Sequence, residues 1–269
     1  MSDVQAPAAL YERRGNVALI TINRPEARNA VNAAVSTALG DAVQQAQDDA
    51  EVWAVVITGA GDKSFCAGAD LKALSRRENI FHPQHPEWGF AGYVRHAIDK
   101  PTIAAVNGTA LGGGTELALA SDLVVAAQSA TFGLPEVKRG LVAAAGGVFR
   151  IVEQLPRKVA MGLLFTGEPI TADEALQWGL INQVVADATV VDAALALAQR
   201  ITVNAPLAVQ ASKRIAVGVD VEDGRATVTA DEVGWSRTMR EIGTLMKSED
   251  AKEGPLAFAE KRPPVWKAR

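Results

Sequence analysis

Three glycines, Gly112, Gly113 and Gly114, end a loop immediately before a helix-competent run, TELALAS, and Glu116 falls in the first turn of that run. Glycines in such a place let backbone N–H groups approach a ligand with no side chain between. The first N–H groups of a helix have no intrahelical partner and lie at the positive end of its dipole. Together these features suit the binding of an oxyanion, and a carboxylate beside one suits acid or base chemistry. A second carboxylate, Glu136, follows Pro135 in ATFGLPEVKRG. Sequence distance does not bring the two together, but the intervening helix, strand and turn give the chain room to return. Two carboxylates on one water would serve addition or elimination. The bland alternative is that the glycines only permit close helix packing and the glutamates are unrelated.

A second stretch, SFCAGADLKAL (Ser64 to Leu74), has small residues at Ala67, Gly68 and Ala69, followed by Asp70 at the start of a short helix. It reads either as a second backbone N–H aimed at a ligand or as a tightly packed strand-to-helix turn. Cys66 reads as a small packed residue, because no His or other base lies near it in sequence. Arg24 and Arg28, in the loop NRPEARNA, could meet phosphates or be solvated loop charges. All three histidines fall in the polar segment Ser75 to His96, with Phe81, Trp88, Phe90 and Tyr93. HPQH has no accompanying acidic or Cys set and its proline breaks helical spacing, so no metal site is expected.

The elements that must position these residues are legible in outline. Val17–Ile22, Trp53–Thr58, Pro101–Val106 and LVVAA after Asp122 read as strands, some of them buried. Asn32 is an N-cap for a helix reaching about Asp49, with Val35, Leu39 and Val43 on one face. Beyond Leu155 the pattern is helical: PRKVAMGLLFTG, then TADEALQWG with a capping box from Thr171 to Glu174 and Gly179 as its stop. A short strand LINQVV precedes helices over about Val190–Val203, Pro206–Val217 and Val221–Met246, and a basic, aromatic tail ends the chain. A boundary near Asn204 divides a core, 1–204, from a helical C-terminal region, 205–269.

The 269 residues suffice for a large core, and the net charge of -4 argues against a general nucleic-acid surface. No apolar stretch is long enough to span a membrane, and the opening residues lack a basic region followed by an apolar run. One cysteine excludes an intrachain disulfide and is compatible with a reducing, cytoplasmic setting.

In order and spacing, LITINRPEARNAVN, VVITGAGDKSFCAGADLKAL, KPTIAAVNGTALGGGTELALASD, ATFGLPEVKRGL and SEDAKEGPLAFAEKRPPVW resemble the crotonase, or enoyl-CoA hydratase/isomerase, superfamily. The resemblance implies an α/β fold, a spiral of ββα turns followed by a helical C-terminal trimerisation region. It also implies a homotrimer or dimer of trimers. The substrate it implies is an acyl-CoA thioester, with CoA part of the substrate and no separate cofactor. The oxyanion-hole donors carry over to Ala69 and Gly113, and the paired catalytic glutamates to Glu116 and Glu136. The implied reaction is syn addition of water to a 2-enoyl-CoA, with Glu116 as base and Glu136 as acid. Substrate contacts carry over to Arg24, Ala67, Asp70, Leu71, Lys72, Leu141 and Lys261.

GFAGYVRHAIDKPTIAAVNG and the tail are similar to the carnitinyl-CoA dehydratase branch. That branch would call for an aromatic or acidic cage around a trimethylammonium, to which Trp88, Phe90 and Tyr93 could contribute, or they could equally line a pocket for an ordinary acyl chain. LVAAAGG replaces that branch's more polar stretch and makes Leu141 to Ala145 a more apolar lining. The alternatives are an enoyl-CoA isomerase on the same scaffold and, from another class, an acyl-CoA-binding regulatory protein.

Overall fold

The computed structural model describes residues 6–222 and 225–267. It begins with an antiparallel pair, β1 (Ala9–Arg14) and β2 (Val17–Ile22). Helix α1 (Ala33–Asp48) follows, its N-terminus capped by Asn32 Oδ1, which accepts from Val35 N at 3.1 Å. As the periodicity predicts, Val35, Leu39 and Val43 are buried.

Three strand–strand–helix turns then stack. The first is β3 (Ala54–Gly59), β4 (Ser64–Cys66) and α2 (Leu71–Ser75). The second is β5 (Thr102–Val106), β6 (Thr109–Leu111) and α3 (Gly113–Ala120). The third is β7 (Leu123–Ala127), β8 (Thr131–Gly133), a 3-10 turn over Pro135–Arg139, and α4 (Gly147–Gln154). The first strand of each turn joins one six-stranded sheet, in which β2, β3, β5, β7 and the later β10 (Gln183–Val185) are parallel. The second strand of each joins another sheet, ordered β4-β6-β8-β9, with β9 (Ile170–Thr171) antiparallel at its edge. Between β8 and β10 lie α5 (Arg157–Thr166) and α6 (Ala172–Gln177), the latter opened by the expected capping box. This is the ββα spiral that the motifs imply.

β3 and β5 are buried along their full length, which explains their near-continuous apolar sequence. Helix α7 (Val190–Thr202) covers the six-stranded sheet with Val190, Ala194, Leu195 and Ala198. Helix α8 (Pro206–Val217) docks through Lys213, whose Nζ lies 2.7 Å from Asp122 Oδ2 and donates to Lys100 O.

The helix expected over Val221–Met246 is corrected. The chain first forms a hairpin, β11 (Val219–Glu222) with β12 (Arg225–Val228), and only then α9 (Glu232–Leu245). The sequence carries the reason: Asp223-Gly224, a favoured hairpin dipeptide, stands between two short runs containing β-branched residues. Those two residues lie outside the described ones. The tail is partly helical, as α10 (Asp250–Ala259) packs against the Pro135–Arg139 turn. No helix among the described residues is long and apolar enough to cross a membrane.

Candidate active site

The parallel register of β4, β6 and β8 places three chain segments side by side. Cys66 pairs with Ala110, and Leu111 with Gly133. Ala69, Gly113 and Glu136 therefore emerge from the carboxyl ends of neighbouring strands, where α/β sheets present their ligand sites.

Ala69 sits in an isolated parallel bridge with Val31. Val31 N donates to Gly68 O and Asp70 N donates to Val31 O, both at 2.8 Å. In a parallel ladder those bonds belong to the residues flanking Ala69, so its own N–H points away from Val31. Gly113 is the first residue of α3, and its N–H has no partner in the helix. Gly68 brings the two donors together: the space for a Cβ on Gly68 lies 3.1 Å from Gly113 N. The next glycine is needed for packing, since a Cβ on Gly114 would strike Cys66 O. Cys66 is buried, and burial pushes its thiol up to about 12, so it is a neutral packing group.

Glu116 is buried on α3 with its Oε1 accepting from Ala145 N at 2.7 Å and Gly147 N at 2.9 Å. Both bonds use the same oxygen. Burial, followed by the charge of Glu136, raises its pKa; the two backbone donors and Arg150 oppose the rise. Glu136 is half-buried, its Oε1 beside Gly112 and its Oε2 buried without a hydrogen bond among the described residues. Burial raises its pKa also. Two neighbouring carboxyls with raised pKa values share protons readily near neutral pH, which is what reversible proton transfer through one water requires.

The other expected contacts divide. Ala67, Leu71 and Lys72 are exposed around the start of α2, next to Ala69. Asp70 caps α2 by accepting from Lys72 N and Ala73 N, and it pairs with Arg24 at 3.1 Å. Arg24 also donates to Ala30 O at 2.7 Å, so its guanidinium is already held by the fold. Leu141 follows the Glu136 turn, its N–H donating to Glu136 O. Lys261 is exposed beyond α10, and no described contact joins it to α2.

Of the three aromatic candidates for a cage, only Phe90 reaches the site, where a Cβ on Gly113 would meet its ring. Trp88 stacks between His85 and His96, each with centroids 4.1 Å away, against α1. Tyr93 is buried with its hydroxyl 3.0 Å from Ser121 Oγ. His82 accepts from Gln84 N and His85 N and contacts Asp41, so the HPQH stretch orders its own loop. Among the described residues no group of His, Cys, Asp and Glu could hold a metal. Sequence reasoning named Phe90 as a substrate-side aromatic but missed the Ala145 and Gly147 donors, for which the Gly146-Gly147 pair was the one available signal.

A stacked ββα spiral carrying paired backbone donors and paired glutamates is the architecture of a crotonase-type enzyme. Residues 12–269 match the sequence profile of the family described as enoyl-CoA hydratase/isomerase, and the chain belongs to that family as a hydratase-type lyase. It is 44% identical over 261 residues to a carnitinyl-CoA dehydratase of Salmonella paratyphi A, covering 96% of this chain and 97% of the relative. It is 75% identical to a structure described as a carnitinyl-CoA hydratase from Mycobacterium avium, with a TM-score of 0.95 and coverage of 98% and 100%. An enoyl-CoA hydratase from Mycobacterium tuberculosis H37Rv is 46% identical, with a TM-score of 0.75 and coverage of 98% and 100%.

Proposed function

We propose that the chain catalyses reversible syn addition of water to a 2-enoyl-CoA thioester, giving a 3-hydroxyacyl-CoA. The observation that carries this is the arrival of Glu116 and Glu136 at the strand ends that also present the N–H groups of Ala69 and Gly113. Those two N–H groups hold the thioester oxygen. Glu116 takes a proton from water as the water oxygen bonds to C3. The electron pair of the double bond moves to the thioester oxygen as an enolate. Glu136 then delivers a proton to C2, and the carbonyl re-forms. Each donor of such a hole is worth about 3 kcal/mol in the transition state.

CoA contacts belong to the same proposal. Ala67, Leu71 and Lys72 offer an exposed surface beside the hole; Arg24 and Asp70 fix the backbone there as an ion pair; Leu141 lines the acyl side; Lys261 reaches the CoA of a neighbouring subunit. A homotrimer or dimer of trimers is supported by the exposed apolar side chains of the C-terminal region, among them Leu207, Ile215 and Met239. A cytoplasmic setting fits the single unpaired cysteine.

The test is hydration of crotonyl-CoA followed by mass spectrometry for added water, with crotonobetainyl-CoA beside it. Water addition to crotonyl-CoA supports the general hydratase reading. Turnover of crotonobetainyl-CoA alone supports the second reading, suggested by the names of the relatives, in which the acyl group is carnitine-like. Double-bond migration without water addition would overturn both.

A further inference from the structure

The loop that supplies both donors to Glu116 is braced from behind by one side chain. Arg150, on α4, packs its guanidinium against Gly146 through Nη1, which is buried without a hydrogen bond among the described residues, and reaches across to two other segments. Nη2 donates to Val94 O at 2.8 Å, in the segment that also brings Phe90 to the oxyanion hole. Nε donates to Asp231 Oδ2 at 3.0 Å, immediately before α9, and Nη2 donates to the same oxygen. The guanidinium carbon lies 5.4 Å from the ring centre of Trp235 on α9 and 5.5 Å from that of Phe149.

All of this closes around Gly146, between the two residues whose N–H groups hold Glu116. Gly146 has φ +98°, and the space for a Cβ there is bounded by Arg150 Nη1 at 3.0 Å and Trp235 at 3.2 Å. A side chain at 146 would meet both groups and strain the backbone. The Arg150 side chain is 11% exposed and that of Asp231 13%. Such a buried pair is costly to form but strongly fixes geometry when its hydrogen bonds are made.

We propose that Arg150, anchored by Asp231 and Val94, is a positioning residue whose packing against Gly146 fixes the Ala145–Gly147 loop on Glu116. The inference rests on Glu116 acting as the base, as argued above. It makes α9, part of the C-terminal region, a determinant of the behaviour of a catalytic group on α3.

The charged and titratable groups facing Glu116 are few. Glu136 faces it from the Pro135–Arg139 turn and Arg150 from α4. The neutral thiol of Cys66 faces it from β4. Asp231 acts through Arg150, and Tyr93, beside Ser121, has its phenol pushed up to about 12 by burial and stays neutral. Arg150 favours the ionised form of Glu116, so removing its charge makes the base harder to ionise. Removing the negative charge of Asp231 does the opposite.

The experiment is the pH profile of kcat for hydration in wild type, Arg150→Met, Arg150→Lys and Asp231→Asn. Arg150→Met is expected to move the acid limb up by about one pH unit and to lower kcat at neutral pH at least about tenfold with little change in KM. Arg150→Lys is expected to return the limb toward wild type, and Asp231→Asn to move it down. A wild-type limb in Arg150→Met, an equal shift in Arg150→Lys, or a shift of Asp231→Asn in the same direction as Arg150→Met would overturn the proposal. If Arg150→Met does not fold, Asp231→Asn decides: a lowered limb supports the role and an unmoved or raised one overturns it. The Glu116 carboxyl band, isolated as an infrared difference against Glu116→Gln, is titrated in the same variants. It reads the effect on Glu116 even if wild type hydrates no substrate, which separates failure of this inference from failure of the hydratase reading.

Discussion

Glu136 Oε1 lies 2.8 Å from the point where a Cβ on Gly112 would stand. The carboxylate rests directly on the glycine that precedes Gly113, the first residue of α3. Gly112 is held at φ +55°, ψ -124°, a conformation that a side chain adopts only with strain. We predict that Gly112→Ala displaces Glu136 and lowers kcat by about a hundredfold, while circular dichroism stays close to wild type. Wild-type turnover in this variant would show that Glu136 need not occupy that position.

The two glutamates make a sharper prediction. Glu116→Gln and Glu136→Gln keep size and shape but abolish proton exchange. Each is expected to lower hydration by about two to four orders of magnitude, with CoA-ester binding retained in a calorimetric titration. Near-normal turnover in either would remove that carboxyl from the mechanism.

Burial of these carboxyls also has a stability signature. Both have folded-state pKa values above the usual carboxylate value of 4.5. Below that pH they are neutral in both folded and unfolded chains and cost nothing. As pH rises above it, the unfolded chain ionises more readily than the folded one, so stability falls. The Tm of Glu116→Gln relative to wild type should therefore increase from about pH 4.5 toward pH 8, read by differential scanning calorimetry. A difference that is constant or shrinks over this range would contradict the burial argument.

Assembly is tested on α8. Leu207 is 76% exposed and Ile215 84% exposed in the single chain, an arrangement costly for a helix face left in water. Sedimentation equilibrium at micromolar concentration should give three or six times the chain mass of 28.3 kDa. Leu207→Asp with Ile215→Asp should yield a smaller species, and an unchanged distribution would place the contact elsewhere.

Much of this molecule is readable from its residues because local signals and burial agree. Asn32 caps the helix it precedes, Thr171 and Glu174 form their box, and the apolar runs at β3 and β5 are interior strands. The glycine run before α3 was legible as a close backbone approach, and at Gly114 that approach is packing against Cys66 O. What sequence could not convey was long-range pairing. Trp88 and Phe90 are two residues apart with similar chemistry, yet one packs into a histidine stack and the other against Gly113. Arg150 gains its importance from Asp231, 81 residues away. Arg24 and Asp70, each readable alone as a free charge, neutralise one another. The missed hairpin is a different failure, because Asp223-Gly224 announced it and the helical pattern downstream was extended over it.

Helix α10 packs behind the turn that carries Glu136. Arg139 O leaves no room for a Cβ on Gly254, and the Arg139 guanidinium lies 4.1 Å from the centre of the Phe258 ring. During synthesis the segments reach folding conditions in chain order. The brace on the loop holding Glu116 is complete at Asp231, whereas the support behind Glu136 waits for Asp250–Ala259. A protease cut just before Asp250 would therefore leave Glu116 on its two backbone donors and take away the helix packed behind the Glu136 turn.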